Sequence, residues 1–547
     1  MRSFLFASAL SLLALSACTD TPGEIANPPT LRITSPERSA IKEGATSVTV
    51  TGLVTPNVDS NAAITHVTVN DTEAVLGADG SFTALIQVKP GATMLHTEAK
   101  DAKGAVAEDT RTMLSGEVRS VGTNVEDAIT VAVSKEAFGK LSAAAGPIIK
   151  NMDMAPMVTG MNPMAHWSDE DGADCNYAQM NVLDVNLGDA KISLTPTNAG
   201  LMFSAEIDNL EVPANANYSL VCIDGHNDID IKATKVTVTG ILVVTADGNK
   251  GFATTLTQQA VQVEGLDIQA SGLPGDIINF LHLDTFAGYL IGKIAPSAME
   301  PMLNKALGAM DGPQELNVLG KKLTVSVDPT DIHIDATGAL ITMSTQMLIE
   351  GSESGKYVFT PNGPANPAAG DGLAIGLADD LGNMMLAEAK SINLLNMTLP
   401  ATGGSFDSTA MEMTLPPVLS ADPADGKMKV ILGDVMVTYA NHGTPVGRAA
   451  LNASIDLKIE PTASGNGVAI KLGTPVAHVD VLDDIANTTR LDSESLSRAT
   501  EVCLGAQVDA ISQLLTNVPL PALAGVQMHN LSLQSDDGYL MLNADIE

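Results

Sequence analysis

Two stretches decide the fold: AITVAVSKEAFGKLSAAAGPII at residues 128–149 and GLAIGLADDLGNMMLAEA at residues 372–389. Each begins as a short apolar strand and continues into a helix with apolar residues on one face. In the first stretch Ser134 is a good N-cap, because its hydroxyl oxygen can accept a hydrogen bond from an N–H of the first helical turn. The two stretches align at an offset of 377 − 133 = 244 residues, which predicts a duplicated unit.

Alternating apolar and polar residues follow each stretch and predict long antiparallel strands. Each half then closes on a second apolar helix, predicted at 285–310 in the first half and at 495–515 in the second. The fold class expected from these patterns is mainly β with long helices, of the α+β type.

A separate module precedes the duplicated halves. Residues 28–115 form short runs of alternating apolar and polar residues, split by turns such as Ala78 to Gly80. This pattern is typical of an immunoglobulin-like β-sandwich. The order of Gly52, Asn70, Asp79 to Phe82 and Gly91 also resembles bacterial immunoglobulin-like modules. The resemblance implies a spacer or adhesive role and identifies no ligand.

The N-terminal residues have the features of a secretion signal. Arg2 is followed by an apolar run from Phe4 to Leu15, which is too short to cross a hydrocarbon core that requires roughly 20 helical residues. The sequence LSAC at residues 15–18 resembles the lipobox of bacterial lipoproteins. That resemblance implies a signal peptide over residues 1–17, acyl chains such as palmitate on Cys18, and a tether over residues 18–27. Because Thr19 follows the cysteine, it also implies an outer-membrane lipoprotein whose facing is left open.

Charge and cysteine content restrict the environment and the partners. The chain carries 64 acidic and 29 basic residues, a formal net charge of −35, which argues against binding to nucleic acid. In an oxidising compartment, two of the three cysteines that remain after lipidation are expected to pair. Cys175 with Cys222 is favoured, because the two lie 222 − 175 = 47 positions apart in one strand-rich block. Cys503 lies in an apolar helical stretch and is interpreted as a buried thiol.

The C-terminal sequence carries a family resemblance. Its parts are VPLP at residues 518–521, VQMHNLSLQ at residues 526–534 and GYLMLNADI at residues 538–546. They resemble the ending of the bactericidal/permeability-increasing protein and lipopolysaccharide-binding protein family, within the tubular lipid-binding superfamily. The resemblance implies two tandem helix-wrapped β-barrels, over residues 116–352 and 353–547, that form an elongated boomerang. It also places the pair Cys175 and Cys222 where that family has a disulfide.

In that fold a bent sheet wraps a long amphipathic helix, and the apolar seam between them is a slot for the acyl chains of a lipid. The residues expected to line the slots are apolar and lie on the predicted helices. They are Phe138, Leu141, Ile148, Phe286, Leu290 and Ile294 in the first barrel, and Leu381, Met384, Met385 and Leu514 in the second. The alternative for each of them is ordinary packing in a core.

The first barrel departs from the resemblance in its charge. The family's endotoxin binders use a basic tip, whereas the sequence WSDEDGAD at residues 167–174 is acidic. Uncharged or zwitterionic lipid, or another hydrophobic molecule, is therefore the expected ligand. The same loop is rich in possible Ca²⁺ ligands, but its spacing does not match the EF-hand calcium loop, and no metal site is assigned.

No local motif supports catalysis. The chain has no nucleophile elbow, phosphate loop or His-x-x-x-His pair. The segment from Asp224 to Asp228 is interpreted as a polar turn. Five of the histidines occur singly along the chain: His166, His226, His333, His442 and His478. We expect no cofactor and no enzymatic activity.

Three functions of different classes are compatible with these features. The leading one is a membrane-anchored lipoprotein that binds, and in one version shuttles, lipid or another hydrophobic ligand. The alternative is a surface adhesion or scaffold lipoprotein with solid-packed barrels, and a hydrolase is third. Ligand identity, the direction of any transfer and the oligomeric state are not predicted.

Overall fold

Strands make up most of the described part of the chain and assemble into five sheets. Two sheets belong to the N-terminal module, one belongs to each of the duplicated halves, and one is shared by the halves. The computed structural model describes residues 28–150, 155–160, 162–168, 175–246, 252–270, 272, 274, 314–318, 320–360, 365, 367, 370–400, 406–422, 427–461, 467–484, 518–519, 528–536 and 538–546.

The module is a sandwich of two sheets. Its strands are β1 (Thr30–Ser35), β2 (Ala40–Glu43), β3 (Ser47–Thr55), β4 (Ile64–Val69), β5 (Thr72–Glu73), β6 (Val75–Leu76), β7 (Ser81–Gln87), β8 (Gly91–Asp101) and β9 (Val106–Ser120). One sheet has the order β1-β3-β7-β6 and the other β2-β9-β8-β4-β5. Along β7 the side chains of Phe82, Ala84 and Ile86 are buried and those between them are exposed, as in a strand with one face on a core. The predicted immunoglobulin-like sandwich is confirmed.

The first half follows the module. Its elements are β10 (Val125–Ser134), α1 (Lys135–Lys150), α2 (Ala155–Gly160), β11 (Ala165–Ser168), β12 (Tyr177–Val182), β13 (Ala190–Thr197), β14 (Gly200–Leu220), β15 (Ile223–Ala246), β16 (Phe252–Glu264), β17 (Asp267–Gln269), β18 (Gln314–Val318), β19 (Lys321–Asp335) and β20 (Gly338–Ile349). Its own sheet has the order β11-β12-β14-β15-β16. In addition, β13 pairs with β14 and β17 pairs with β15. The long hairpin of β14 and β15 carries much of the core, including the buried Phe203 and Ile229.

The second half repeats the order of strand, helix and strands. Its elements are β21 (Lys356–Phe359), β22 (Leu373–Ala378), α3 (Asp379–Ser391), β23 (Met397–Pro400), β24 (Ser408–Glu412), β25 (Val418–Asp422), β26 (Lys427–Asn441), β27 (Thr444–Pro461), β28 (Gly467–Leu472), β29 (Val476–Asp484), β30 (Val518–Pro519), β31 (Met528–Asp536) and β32 (Tyr539–Ile546). The main path of its sheet is β23-β24-β26-β27-β28-β30. The first strand, β21, leaves the half and pairs with β9 of the module.

The shared sheet reveals the internal symmetry. Its order is β18-β19-β20-β10-β22-β32-β31, so β10 and β22 meet at the boundary between the halves. They run antiparallel, and Val131 lies opposite Ile375. These two residues are also equivalent in the sequence repeat, since 375 − 131 = 244. Two copies of one strand that cross antiparallel at an equivalent residue are related by a local twofold axis at that point.

The predicted fold class is wrong, because strands and not long helices build the described part of the chain. The helices there are short: α1 has 16 residues, α2 has 6 and α3 has 13. None of these is long and apolar enough to cross a membrane. No described strand pairing closes either half into a barrel. The predicted helices at 285–310 and 495–515 lie outside the described residues.

The end of α3 has a local physical cause. α3 ends because Asn393 adopts a left-handed conformation with φ 59°. There the N–H of Asn393 donates to the carbonyl of Lys390 at 3.0 Å, and the N–H of Leu394 donates to that of Ala389 at 2.9 Å. This pair of bonds is the Schellman motif that terminates helices.

Candidate functional site

α1 places two of the predicted lipid-contacting residues beside the shared sheet. Its N-cap is Ser134, whose Oγ accepts a hydrogen bond from the Ala137 N–H at 3.0 Å. Phe138 and Leu141 are half-buried and pack with Val133, Leu373 and Leu542 of the shared sheet. Ile148 lies in the same helix. Their assignment to lipid stays a prediction, and Phe286, Leu290 and Ile294 lie outside the described residues.

α3 places its three predicted residues on one apolar cluster. Met384 has no exposed surface, and Leu381 and Met385 pack around the same cluster. The other members of this cluster come from the shared sheet, from β21 and from the segment between the module and β10. This environment favours the core alternative for Met384, whereas Leu381 and Met385 are half-buried, as Phe138 and Leu141 are. Leu514 lies outside the described residues.

α3 also buries three carboxyl groups, Asp379, Asp380 and Glu388. The hydroxyl of Thr360 lies 3.0 Å from Oδ1 of Asp379 and of Asp380, and its N–H also donates to Asp380. Burial, with repulsion from Asp379, raises the pKa of Asp380 to about 7. Burial likewise raises the pKa of Glu388 to about 7, although its Oε2 accepts the Ile349 N–H at 2.6 Å. The sequence did not reveal this burial, because acidic residues in a first helical turn are usually exposed partners of the helix dipole.

The hairpin of β14 and β15 ends in an apolar turn, Leu220–Ile223, which we call the apex. Leu220 pairs with Ile223, so Val221 and Cys222 are the two turn residues. Their φ angles are 52° and 63°, as in the type I′ turns of tight hairpins. That backbone conformation is costly for a β-branched residue such as Val221. The surrounding contacts must therefore hold the turn in place.

Those contacts come from the residues just before β12. Cys175 and Cys222 form a disulfide, as the sequence predicted. The Cys222 N–H donates to the Cys175 carbonyl at 3.0 Å, and the Val221 N–H donates to Oδ1 of Asn176 at 2.9 Å. A covalent bond and two hydrogen bonds thus fix the apex to the neighbouring strand.

The apex presents apolar side chains to solvent. Val221 is 80% exposed and Ile223 is 73% exposed, whereas most large apolar side chains of the first-half sheet belong to its core. Half-buried Trp167, Tyr177 and Tyr218 lie on the adjoining strands. The residues around the turn, 216–228, include two aspartates and no Lys or Arg. The apex is therefore apolar at its tip and weakly acidic at its sides.

Several predicted sites fall outside the described residues. They are Cys18, Cys503 and the acidic residues 169–174. The polar segment from Asp224 to Asp228 is part of β15, and not a loop. Within it, His226 Nε2 lies 3.6 Å from Oδ1 of Asp228.

Comparison with known proteins finds a family model that is similar to the module. Residues 29–115 match the family model described as glucodextranase, domain B. No curated protein matches the chain. A crystal structure of lipopolysaccharide binding protein is similar over 77% of this chain and 99% of that chain, with 11% sequence identity and a TM-score of 0.38. A similarity at this level carries no argument about function, and the resemblance of the halves to that family stays a prediction.

Proposed function

We propose that the protein binds lipid at a membrane surface, where acyl chains on Cys18 hold it in the outer membrane. The observation that carries the proposal is the apex, where Val221 and Ile223 expose most of their apolar surface. The proposed role is binding and not catalysis. It applies to uncharged or zwitterionic lipid, because the apex and the chain as a whole are acidic.

The physical argument rests on what the apex gains at a membrane. Moving one such side chain out of water contributes roughly 1.5–3 kcal/mol. The disulfide and the hydrogen bonds already order the turn, so little conformational entropy is lost on contact. Trp and Tyr are enriched at membrane–water interfaces because their rings are amphipathic, and Trp167 and Tyr177 lie close behind the turn. The apex is thus built to touch the interfacial layer of a bilayer.

A second candidate is a surface scaffold or adhesion protein. The observation that favours it is the closed packing around Met384 on α3, which leaves that side chain no surface for a ligand. In this version the module would contact a partner and the halves would be structural supports. The two candidates differ in whether the apex is needed for membrane contact.

A vesicle flotation assay tests the proposal. A chain that begins at residue 19 removes the anchor and no described element, so any binding to phosphatidylcholine vesicles has to come from the folded protein. We expect the double variant Val221→Asp, Ile223→Asp to bind these vesicles about tenfold more weakly or worse, since two charges would replace two apolar contacts. Adding phosphatidylglycerol to the vesicles should weaken the binding of the unmodified chain.

Matched controls lie on the module. Val58 and Leu85 are 94% and 58% exposed, and the double variant Val58→Asp, Leu85→Asp adds the same charge away from the apex. It should float with the vesicles like the unmodified chain. Equal binding by all three proteins, or equal loss in both double variants, would exclude the apex as the membrane contact.

A further inference from the structure

Three potential metal ligands meet where the module contacts the second half. His96 lies on β8, Glu108 on β9 and His478 on β29. One ligand atom of each residue lies within 4.8 Å of the other two. The imidazole rings of His96 and His478 have centroids 4.7 Å apart. Among the described residues, these three side chains are the potential metal ligands that lie close enough together to hold one ion.

Strand register explains why the three side chains converge. β8 and β9 are antiparallel, with His96 opposite Thr110 and Glu98 opposite Glu108. Residues two apart in a strand share a face, so His96 and Glu108 are diagonal neighbours on one face. On β29, His478 shares a face with Asp480, whose Oδ2 accepts the Thr110 N–H at 3.0 Å. That bond sets β29 over the module so that His478 lies next to His96.

A charge cluster holds this arrangement independently of any ion. We call Arg38, Asp109, Asp434 and Asp480 the Arg38 cluster. The Arg38 guanidinium lies 3.0 Å from carboxylate oxygens of Asp109 and Asp434 and 3.1 Å from one of Asp480. The Ser39 N–H also donates to Asp434 at 2.6 Å. Paired and hydrogen-bonded charges of this kind specify one geometry, so the ligands are brought together before an ion arrives.

Polar neighbours orient the imidazole of His96. Its Nδ1 lies 2.8 Å from the Thr110 hydroxyl and its Nε2 lies 3.2 Å from Oε1 of Glu98. When one ring nitrogen binds a metal, the contact at the other nitrogen fixes the ring orientation, so binding replaces one of these two contacts and keeps the other. Glu98 and Glu108 are both exposed, so their carboxylates can turn toward a cation.

We propose that His96, Glu108 and His478 bind one divalent transition-metal ion of the zinc class across the boundary between the module and the second half. Two imidazoles and a carboxylate suit zinc, and they disfavour Ca²⁺ and Mg²⁺, which take oxygen ligands. Bonds of about 2.1 Å set tetrahedral ligand atoms roughly 3.4 Å apart. Rotation of the exposed Glu108 side chain would bring its carboxylate closer to the two imidazoles and supply much of this shortening. The ion would join parts of the chain that are far apart in sequence.

Calorimetric titration tests the site. The full chain is purified, stripped of metal with a chelator and titrated with ZnCl₂. We expect His96→Ala and His478→Ala each to weaken the binding of one zinc ion per chain by about tenfold or more. Glu108→Gln should weaken it less, and this exposed residue can change without unfolding the protein. Unchanged zinc stoichiometry and affinity in all three variants would overturn the proposal.

A control and a spectroscopic measurement separate this site from other histidines. His226→Ala removes an exposed histidine that has one carboxylate neighbour, and it should bind zinc like the unmodified chain. Substitution with Co²⁺ should give the visible absorption of a tetrahedral nitrogen and oxygen site, and the His96→Ala variant should lack it. A zinc-dependent rise in melting temperature that persists in the His96→Ala, His478→Ala double variant would contradict the assignment.

Discussion

α1 and α3 begin at equivalent positions of the duplicated unit, yet they differ in how far their side chains are buried. α1 has a serine N-cap and keeps Phe138 and Leu141 half-buried. α3 begins after Ala378 without a side-chain cap and completely buries Met384. The strand before each helix and the first residue of the helix correspond, since 379 − 135 = 244. Duplication has thus conserved the path of the backbone while the surroundings decide what each helix does.

The difference arises from what covers each helix. α1 packs chiefly against β13 of its own half, whereas α3 contacts β20, β21 and β25. β21 is also paired with β9 of the module. The module, through β21, therefore covers a side of α3 that has no equivalent cover on α1. This cover buries Met384 completely, whereas Phe138 and Leu141 of the first copy stay half-buried.

The largest effect should come from shortening the fully buried methionine. Met384→Ala removes a side chain with no exposed surface and leaves a cavity, so we expect the free energy of unfolding to fall by about 2–5 kcal/mol. Leu141→Ala, in the corresponding helix, should cost clearly less because Leu141 is half-buried. Urea unfolding of the two variants measures this difference. Equal losses would mean that α1 is as firmly packed as α3.

A smaller effect should come from the buried carboxyl of Asp380. Its folded-state pKa of about 7 lies above its ordinary value of 3.8, so the folded protein holds the proton more tightly than the unfolded chain. The stability contribution is full below pH about 4 and is lost as the pH rises through about 7. Asp380→Asn keeps an oxygen for the Thr360 N–H and removes this loss. We expect it to stabilise the protein by about 1–3 kcal/mol above pH 7.

Melting curves between pH 4 and pH 8 check this expectation. The pH dependence should become flatter in Asp380→Asn, with a residual slope from Glu388, whose pKa is also raised to about 7. Asp335→Asn is a suitable control, because hydrogen bonds from Thr337 lower the pKa of Asp335, so that this group does not lose its proton between pH 4 and pH 8. An unchanged pH profile in Asp380→Asn would show that this group is ionised in the folded protein.

The smallest effect concerns the helix caps. Ser134→Ala removes the hydrogen bond from the Ala137 N–H and should lower the free energy of unfolding by about 1 kcal/mol. Ser193→Ala, an exposed position on the neighbouring β13, should be close to neutral. Chemical denaturation of both variants provides the measurement. A neutral Ser134→Ala would indicate that packing alone fixes the start of α1, as it does for α3.

Local patterns predicted the parts of the fold that local forces determine. The Ser134 cap and the change from strand to helix in both copies follow from residue type and alternation. The ends of both helices also agree with the prediction, since the quoted stretches end at residues 149 and 389 and α1 and α3 end at Lys150 and Ser391. The class with long helices was wrong because strands build most of the described chain and the helices described there are short.

The sites depended on contacts between distant residues, which sequence patterns do not encode. The pairing of Cys175 with Cys222 was predictable because both lie in one block of strands. The exposure of Val221 was not, since alternation alone does not show which turn faces solvent. The proximity of His96 and His478 was not predictable either. The two residues lie on strands of different domains, and only the packing of these domains brings them together.

The Arg38 cluster also has a consequence for the order of folding. Arg38 and Asp434 are separated by 396 positions, whereas the sheets of the module pair residues close in sequence. Local pairings form early and contacts across long loops form late. The module should therefore complete its sandwich while its future partner is still unstructured. A docking face made of an arginine and carboxylates can remain hydrated during that interval, whereas an apolar face of the same size would expose the intermediate to aggregation.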